Sequence, residues 1–110
     1  MAARATAALG GADELMLADV VVAECVYVLE SFYEVERLKV AELMRAAIAM
    51  PSIKTVDRAS LLRALEVYEV DRLDFAEAYL VAQAESTDVR AILTFDRSVD
   101  RVGTVTRREP

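Results

Sequence analysis

The sequence contains no histidine and a single cysteine, Cys25. The first absence excludes a Ser-His or Cys-His nucleophile pair, a histidine general base and a histidine-ligated zinc. The second excludes an internal disulfide and a thiolate zinc cluster. Glycine (three) and proline (two) are scarce, while hydrophobic residues reach 55%. That balance excludes disordered, collagen-like and low-complexity classes. Basic residues are outnumbered 13 to 19, for a net charge of −6. Bulk charge therefore does not hold a polyanion, and any nucleic-acid contact has to come from a local basic patch. No apolar run approaches the ~20 residues of a membrane span, and the N-terminus lacks a leader's apolar core. A reducing cytoplasm is the expected compartment, with no membrane partner. For chemistry, carboxylates and hard metal ions remain.

The 110 residues suit one domain that can bury a core. Residues 1–9 read as an Ala-rich helix stopped by Gly10-Gly11. Leu15-Met16-Leu17 reads as a short strand, and Asp19 as the N-cap of a helix to about Phe32. A second helix is predicted over 35–50 and broken at Pro51. Ile53-Lys54-Thr55-Val56 is the next strand. Asp57 caps a helix striped by Leu61, Leu62, Leu65 and Tyr68, and Asp74 opens another to about Ala84. Ala91–Leu93, continued through Thr94-Phe95, reads as the clearest buried strand, and Thr104-Val105-Thr106 as the last. Strands separated by helices imply an α/β unit with a parallel sheet, in which ligands sit beyond the carboxyl ends of the strands. Asp96 stands at such an end.

Three groups of acids attract chemistry, each against a plainer reading. Glu24 lies in the most apolar helix, where a carboxylate is paired, metal-bound or protonated, unless it snorkels to water. Asp74 and Glu77 form an Asp-x-x-Glu capping box, which can coexist with a metal-facing role. Asp96 and Asp100 share a face if their loop makes a helical turn, or Asp96 simply caps that turn. Carboxylates crowded in one cleft raise each other's pKa, and a divalent cation relieves that penalty. Mg²⁺ or Mn²⁺ suits an oxygen-only site and serves hydrolysis at phosphorus. Arg97, Arg101, Arg107 and Arg108 are either a solvated tail or phosphate contacts.

Three blocks, Leu17-Ala18-Asp19-Val20-Val21-Val22-Ala23-Glu24, Leu73-Asp74-Phe75-Ala76-Glu77-Ala78 and Ile92-Leu93-Thr94-Phe95-Asp96-Arg97, occur in an order that resembles PIN domains. In particular, the chain resembles the VapC-type toxin ribonucleases of toxin–antitoxin pairs. The resemblance implies an α/β, PIN-like three-layer fold with a small, mostly parallel sheet flanked by helices. It implies a metal-dependent single-strand endoribonuclease in which Glu24, Glu77 and Asp96 hold Mg²⁺ or Mn²⁺. Asp74 joins the metal site, Thr94 and Asp100 support it, and Arg97 and Arg101 contact phosphate. The implied partners are RNA, a cognate antitoxin and a second copy of the chain in a homodimer.

Two departures qualify the resemblance. The family's opening strand and its Asp have no counterpart, so residues 1–110 read as an N-terminally incomplete domain. The start then lies upstream of Met1, or the chain is a clipped piece or a degenerate relative. A gap is expected between the strand at 15–17 and the strand at 91–95, and weak or no nuclease activity follows from the lost ligand. Glu77 also stands where the family usually has Asp. The alternatives are a non-catalytic PIN-like module for dimerisation or antitoxin binding, and an ordinary helical bundle whose acids are caps and surface.

Overall fold

A computed structural model describes residues 14–110. The expected helix at 1–9 and its Gly10-Gly11 stop lie outside the described residues. The chain is a mixed helix and strand fold of the PIN-like α/β kind. Its order is β1 (Leu15–Met16), α1 (Asp19–Ser31), α2 (Arg37–Ala49), β2 (Ile53–Lys54), α3 (Arg58–Glu66), a π-helical turn (Val67–Asp71), α4 (Phe75–Thr87), β3 (Ala91–Leu93), a 3-10 turn (Arg97–Arg101) and β4 (Thr106–Arg108).

The strands pair in parallel as two separate ribbons, β1 with β2 and β3 with β4. No ladder bond joins the ribbons among the described residues. Parallel strands are normally covered on both faces. Here only Ile92 of β3 is buried, while Leu93 is 66% exposed and Phe95 beyond it 70%. The expectation of a buried strand over 91–95 is thus corrected. With one neighbouring strand and one helix beside it, β3 has cover for a single face.

β4 begins two residues later than predicted. Val102 and Val105 are buried, and Val105 N–H closes a turn onto the Val102 carbonyl. Ladder bonds start only at Thr106, whose N–H donates to Arg90 at 2.8 Å. Burial of the valines sets the turn, and the strand follows it.

Local chemistry explains most helix ends. Asp57 caps α3, accepting Ser60 N–H at 3.0 Å and the Ser60 hydroxyl at 2.7 Å. Met50 leaves α2 in an extended conformation immediately before Pro51, as proline's steric demand on its predecessor requires. Asp19 is not the cap of α1. Ala18 occupies that position, and Asp19 is the first helical residue, favoured there by the helix dipole. The π turn ends at Arg72, in the left-handed region at φ 61°.

The core lies among the helices. Val22 and Val26 of α1, Val40, Met44 and Ile48 of α2, Leu61 and Leu65 of α3, and Ala78 and Val81 of α4 are buried together with Tyr68. Full burial of each large apolar side chain contributes about 1.5–3 kcal/mol. α3 and α4 pack most closely, and the Arg63–Glu85 pair crosses between them, Nε to Oε1 at 2.7 Å and Nη2 to Oε2 at 2.9 Å. Among the described residues, no helix is long and apolar enough to cross a membrane.

Candidate active site

The first turn of α4 aims at the end of β3. Phe75 and Ala78 are buried, which fixes the rotation of the helix and brings Glu77 to Thr94. Asp74 has the backbone of an N-cap, yet its side chain makes no capping bond. The capping-box reading is therefore corrected: neither carboxylate is spent on the helix N-terminus.

Glu77 is half-buried, and its two oxygens differ. Oε1 accepts the Thr94 hydroxyl at a long 3.4 Å, while Oε2 is buried without a hydrogen-bond partner among the described residues. Burial pushes the Glu77 carboxyl above its ordinary range. The Thr94 bond opposes that rise, and the charges of Asp96 and Asp74 add to it.

Asp96 behaves in the opposite sense. Ser98 holds it below the usual carboxylate range, first through its hydroxyl and then through its backbone N–H. Only the N–H contact has hydrogen-bond geometry, at 2.9 Å to Oδ1. Arg101 and Arg107 lower Asp96 further. Asp96 thus caps the 3-10 turn and also sits beside Glu77. Thr94 links the pair, since its hydroxyl oxygen accepts the Asp96 N–H at 3.1 Å. Neighbouring carboxyls with pKa values driven apart are the usual mark of a site built for a proton or a cation.

The other candidates fall less centrally. Asp100 turns away to Arg107, with Oδ1 3.3 Å from Nε, so the shared face expected for Asp96 and Asp100 is not formed. The 3-10 turn, tighter than an α-helix, separates them. Arg101 donates to the carbonyls of Arg72 at 3.1 Å and Asp71 at 3.4 Å, while Arg97 is exposed. Arg107 is no solvated tail, being paired to Asp100 and Glu109.

Glu24 is exposed, so of its two readings the one that reaches water agrees with the structure and the buried carboxylate is corrected. α1 turns Val22 and Val26 inward and leaves Val20, Glu24 and Tyr27 exposed, with Val20 and Tyr27 lining grooves beside Phe75 and Ala76. Glu24 adds to the upward push on the Cys25 thiol, where burial is the larger cause, and is absent from the influences on Glu77 and Asp96. Among the described residues, no three Asp, Glu or Cys side chains stand as a formed metal-ligand group. The donor chemistry nonetheless suits a hard divalent cation: an orphaned buried carboxylate oxygen, with two further carboxylates acting on the same group.

Sequence reasoning missed Asp19 and Tyr79. The Tyr79 hydroxyl donates to Asp19 Oδ2, and Oδ1 is buried without a partner. That bond and burial raise Tyr79 to about 12. The pair flanks an apolar groove of about 350 Å³ between α1 and α4, lined also by Ala23 and Phe75. No local signal couples residues so distant along the chain. A second groove of about 400 Å³ holds Asp74 with Glu30, Ser31 and Tyr27.

The profile of the family described as PIN domain matches residues 1–105. No curated protein and no solved structure gives a match.

Proposed function

The chain belongs to the PIN domain family, and from that premise we propose that it is a metal-dependent single-strand endoribonuclease, the toxin of a toxin–antitoxin pair. PIN domains are generally nucleases and typically use divalent metal ions. The observation that supports the reading best is Glu77, with a buried unpartnered oxygen beside Asp96 and Asp74.

Glu77, Asp96 and Asp74 would hold Mg²⁺ or Mn²⁺, with Glu24 joining on the strength of its place in the first sequence block. The cation, when bound, supplies charge neutralisation and activation of water for attack on phosphorus. The chain's own residues do the rest. Thr94 fixes Glu77 and Asp96 relative to each other. Ser98 binds the Asp96 carboxylate and lowers its pKa further. Arg97, exposed beside Asp96, is free to meet a phosphate, while Arg101 strengthens the local positive field and Asp100 orients Arg107. Because the acids do not stand as a finished ligand set, cation binding and turnover are expected to be weak.

The test is Mn²⁺ titration of the purified chain by calorimetry, followed by cleavage of single-stranded RNA in Mn²⁺ and in Mg²⁺. Saturable binding with slow, metal-dependent cleavage is expected. A chain that binds neither metal and leaves RNA intact overturns the reading.

One observation favours a second reading, a PIN-like module for a homodimer or an amphipathic antitoxin helix. Val20, Tyr27, Phe32, Tyr33 and Leu38 are large, apolar and exposed across α1 and the start of α2. Large apolar side chains exposed in one region are the raw material of interaction faces. Light scattering that finds only monomer at high concentration counts against the homodimer.

A further inference from the structure

Arg37 opens α2, yet its guanidinium serves a different part of the chain. Nη1 donates to two backbone carbonyls, Tyr68 at 2.8 Å and Leu73 at 2.6 Å. The same guanidinium lies over the Tyr68 ring, 4.4 Å from its centroid. The Tyr68 hydroxyl donates in turn to Glu30 Oε2 at 2.6 Å, near the end of α1. One cation therefore gathers α1, α2, the π turn and the residue that precedes Asp74.

The backbone makes such a clamp necessary. The π turn stops when Arg72 reverses the chain at positive φ. Carbonyls at a helix end lose their intrahelical donors and need others. Tyr68 and Leu73 are both fully buried, so water cannot substitute. Arg37 reaches both carbonyls from one planar group that also stacks on an aromatic face, a combination lysine cannot reproduce. Past Leu73 the chain enters α4 directly, where Phe75 meets Tyr68 edge-on at 6.3 Å between centroids.

Resting on the ribonuclease reading for what is being positioned, the geometry points to Arg37 as the positioning residue that holds the Leu73–Asp74 turn and thereby the Asp74 and Glu77 carboxylates. Arg37 touches no substrate. It acts through the Leu73 carbonyl on the mouth of α4.

The test compares Arg37→Lys with Tyr68→Phe on the full chain, by amide hydrogen exchange and by steady-state RNA cleavage in Mn²⁺. Tyr68→Phe keeps the ring and the backbone carbonyl, so it leaves the clamp in place and removes only the Glu30 bond. In Arg37→Lys, the Ala78 amide, bonded to the Asp74 carbonyl at 2.9 Å, should exchange about tenfold faster, while amides of α3 keep the parent's rates. kcat should fall roughly tenfold with KM for RNA unchanged, the usual scale for a group supporting a metal ligand. Tyr68→Phe should match the parent in both readouts. Unchanged Ala78 exchange in Arg37→Lys overturns the proposal. Uniform acceleration across all amides, or equal loss of kcat in Tyr68→Phe, also overturns it, since either marks general loosening of the core. If the parent itself binds no Mn²⁺ and leaves RNA intact, the ribonuclease reading fails, and the exchange contrast still decides whether Arg37 holds the turn.

Discussion

Glu77 and Glu85 lie on one helix, about two turns apart, and experience opposite electrostatics. Glu85 is gripped by the Arg63 fork and bonded by the Thr104 hydroxyl, and its carboxyl is held below the ordinary range, chiefly by Arg63. Among the described residues, Glu77 meets no cation and keeps one buried oxygen without a hydrogen-bond partner. Its carboxyl is pushed up by burial and by two neighbouring acids. The same side chain thus ties α3 to α4 at one end of the helix and leaves an unmet demand for positive charge at the other.

The largest expected effect separates the two glutamates in function. Glu77→Gln should reduce Mn²⁺-dependent RNA cleavage by ~100-fold or more, the upper end of losses seen even for groups that only support a ligand. It should also abolish the rise in Tm that Mn²⁺ produces by binding the folded state. Glu85→Gln should preserve both, measured per folded molecule. Equal loss in the two variants would dissolve the distinction.

Stability should respond the other way. Glu85→Gln weakens a bidentate, partly buried pair and should cost about 1–3 kcal/mol in metal-free urea unfolding. Glu77→Gln removes a repelled carboxylate and should raise the metal-free Tm at neutral pH by a few degrees.

The smallest effect is the pH slope. Glu77 has a folded pKa above its ordinary 4.5, so the folded state binds more protons in that window. Its contribution is fully present below 4.5 and is lost as pH rises through the folded value. Glu85, lowered from 4.5, contributes above that value and loses its contribution as pH falls through the folded value. Stability curves from pH 3 to about 8 should flatten on opposite sides in the two Gln variants.

The pattern of elements was legible where causes are local. Asp57 announces α3 through its own side chain, and Pro51 ends α2 through its ring. The π turn and the reversal at Arg72 were not legible, because their carbonyls are met by Arg37 and Arg101, both distant in sequence and folded back on them. The orientation of Glu24 was hidden for another reason. α1 is apolar on nearly every side, so periodicity cannot choose which face turns inward. The strands came out short, and among the described residues each pairs with a single neighbour.

Without histidine and with one cysteine, the chain's chemistry was confined to carboxylates before any fold was known, and the order of three short blocks was enough to indicate the family. Which carboxylates meet was decided by tertiary packing alone. Phe75 and Ala78 rotate α4, and Thr94, 17 residues from Glu77, joins it to Asp96. Helix caps and turns depend on a few adjacent residues, whereas the field at a carboxylate sums over groups that only long-range packing brings near.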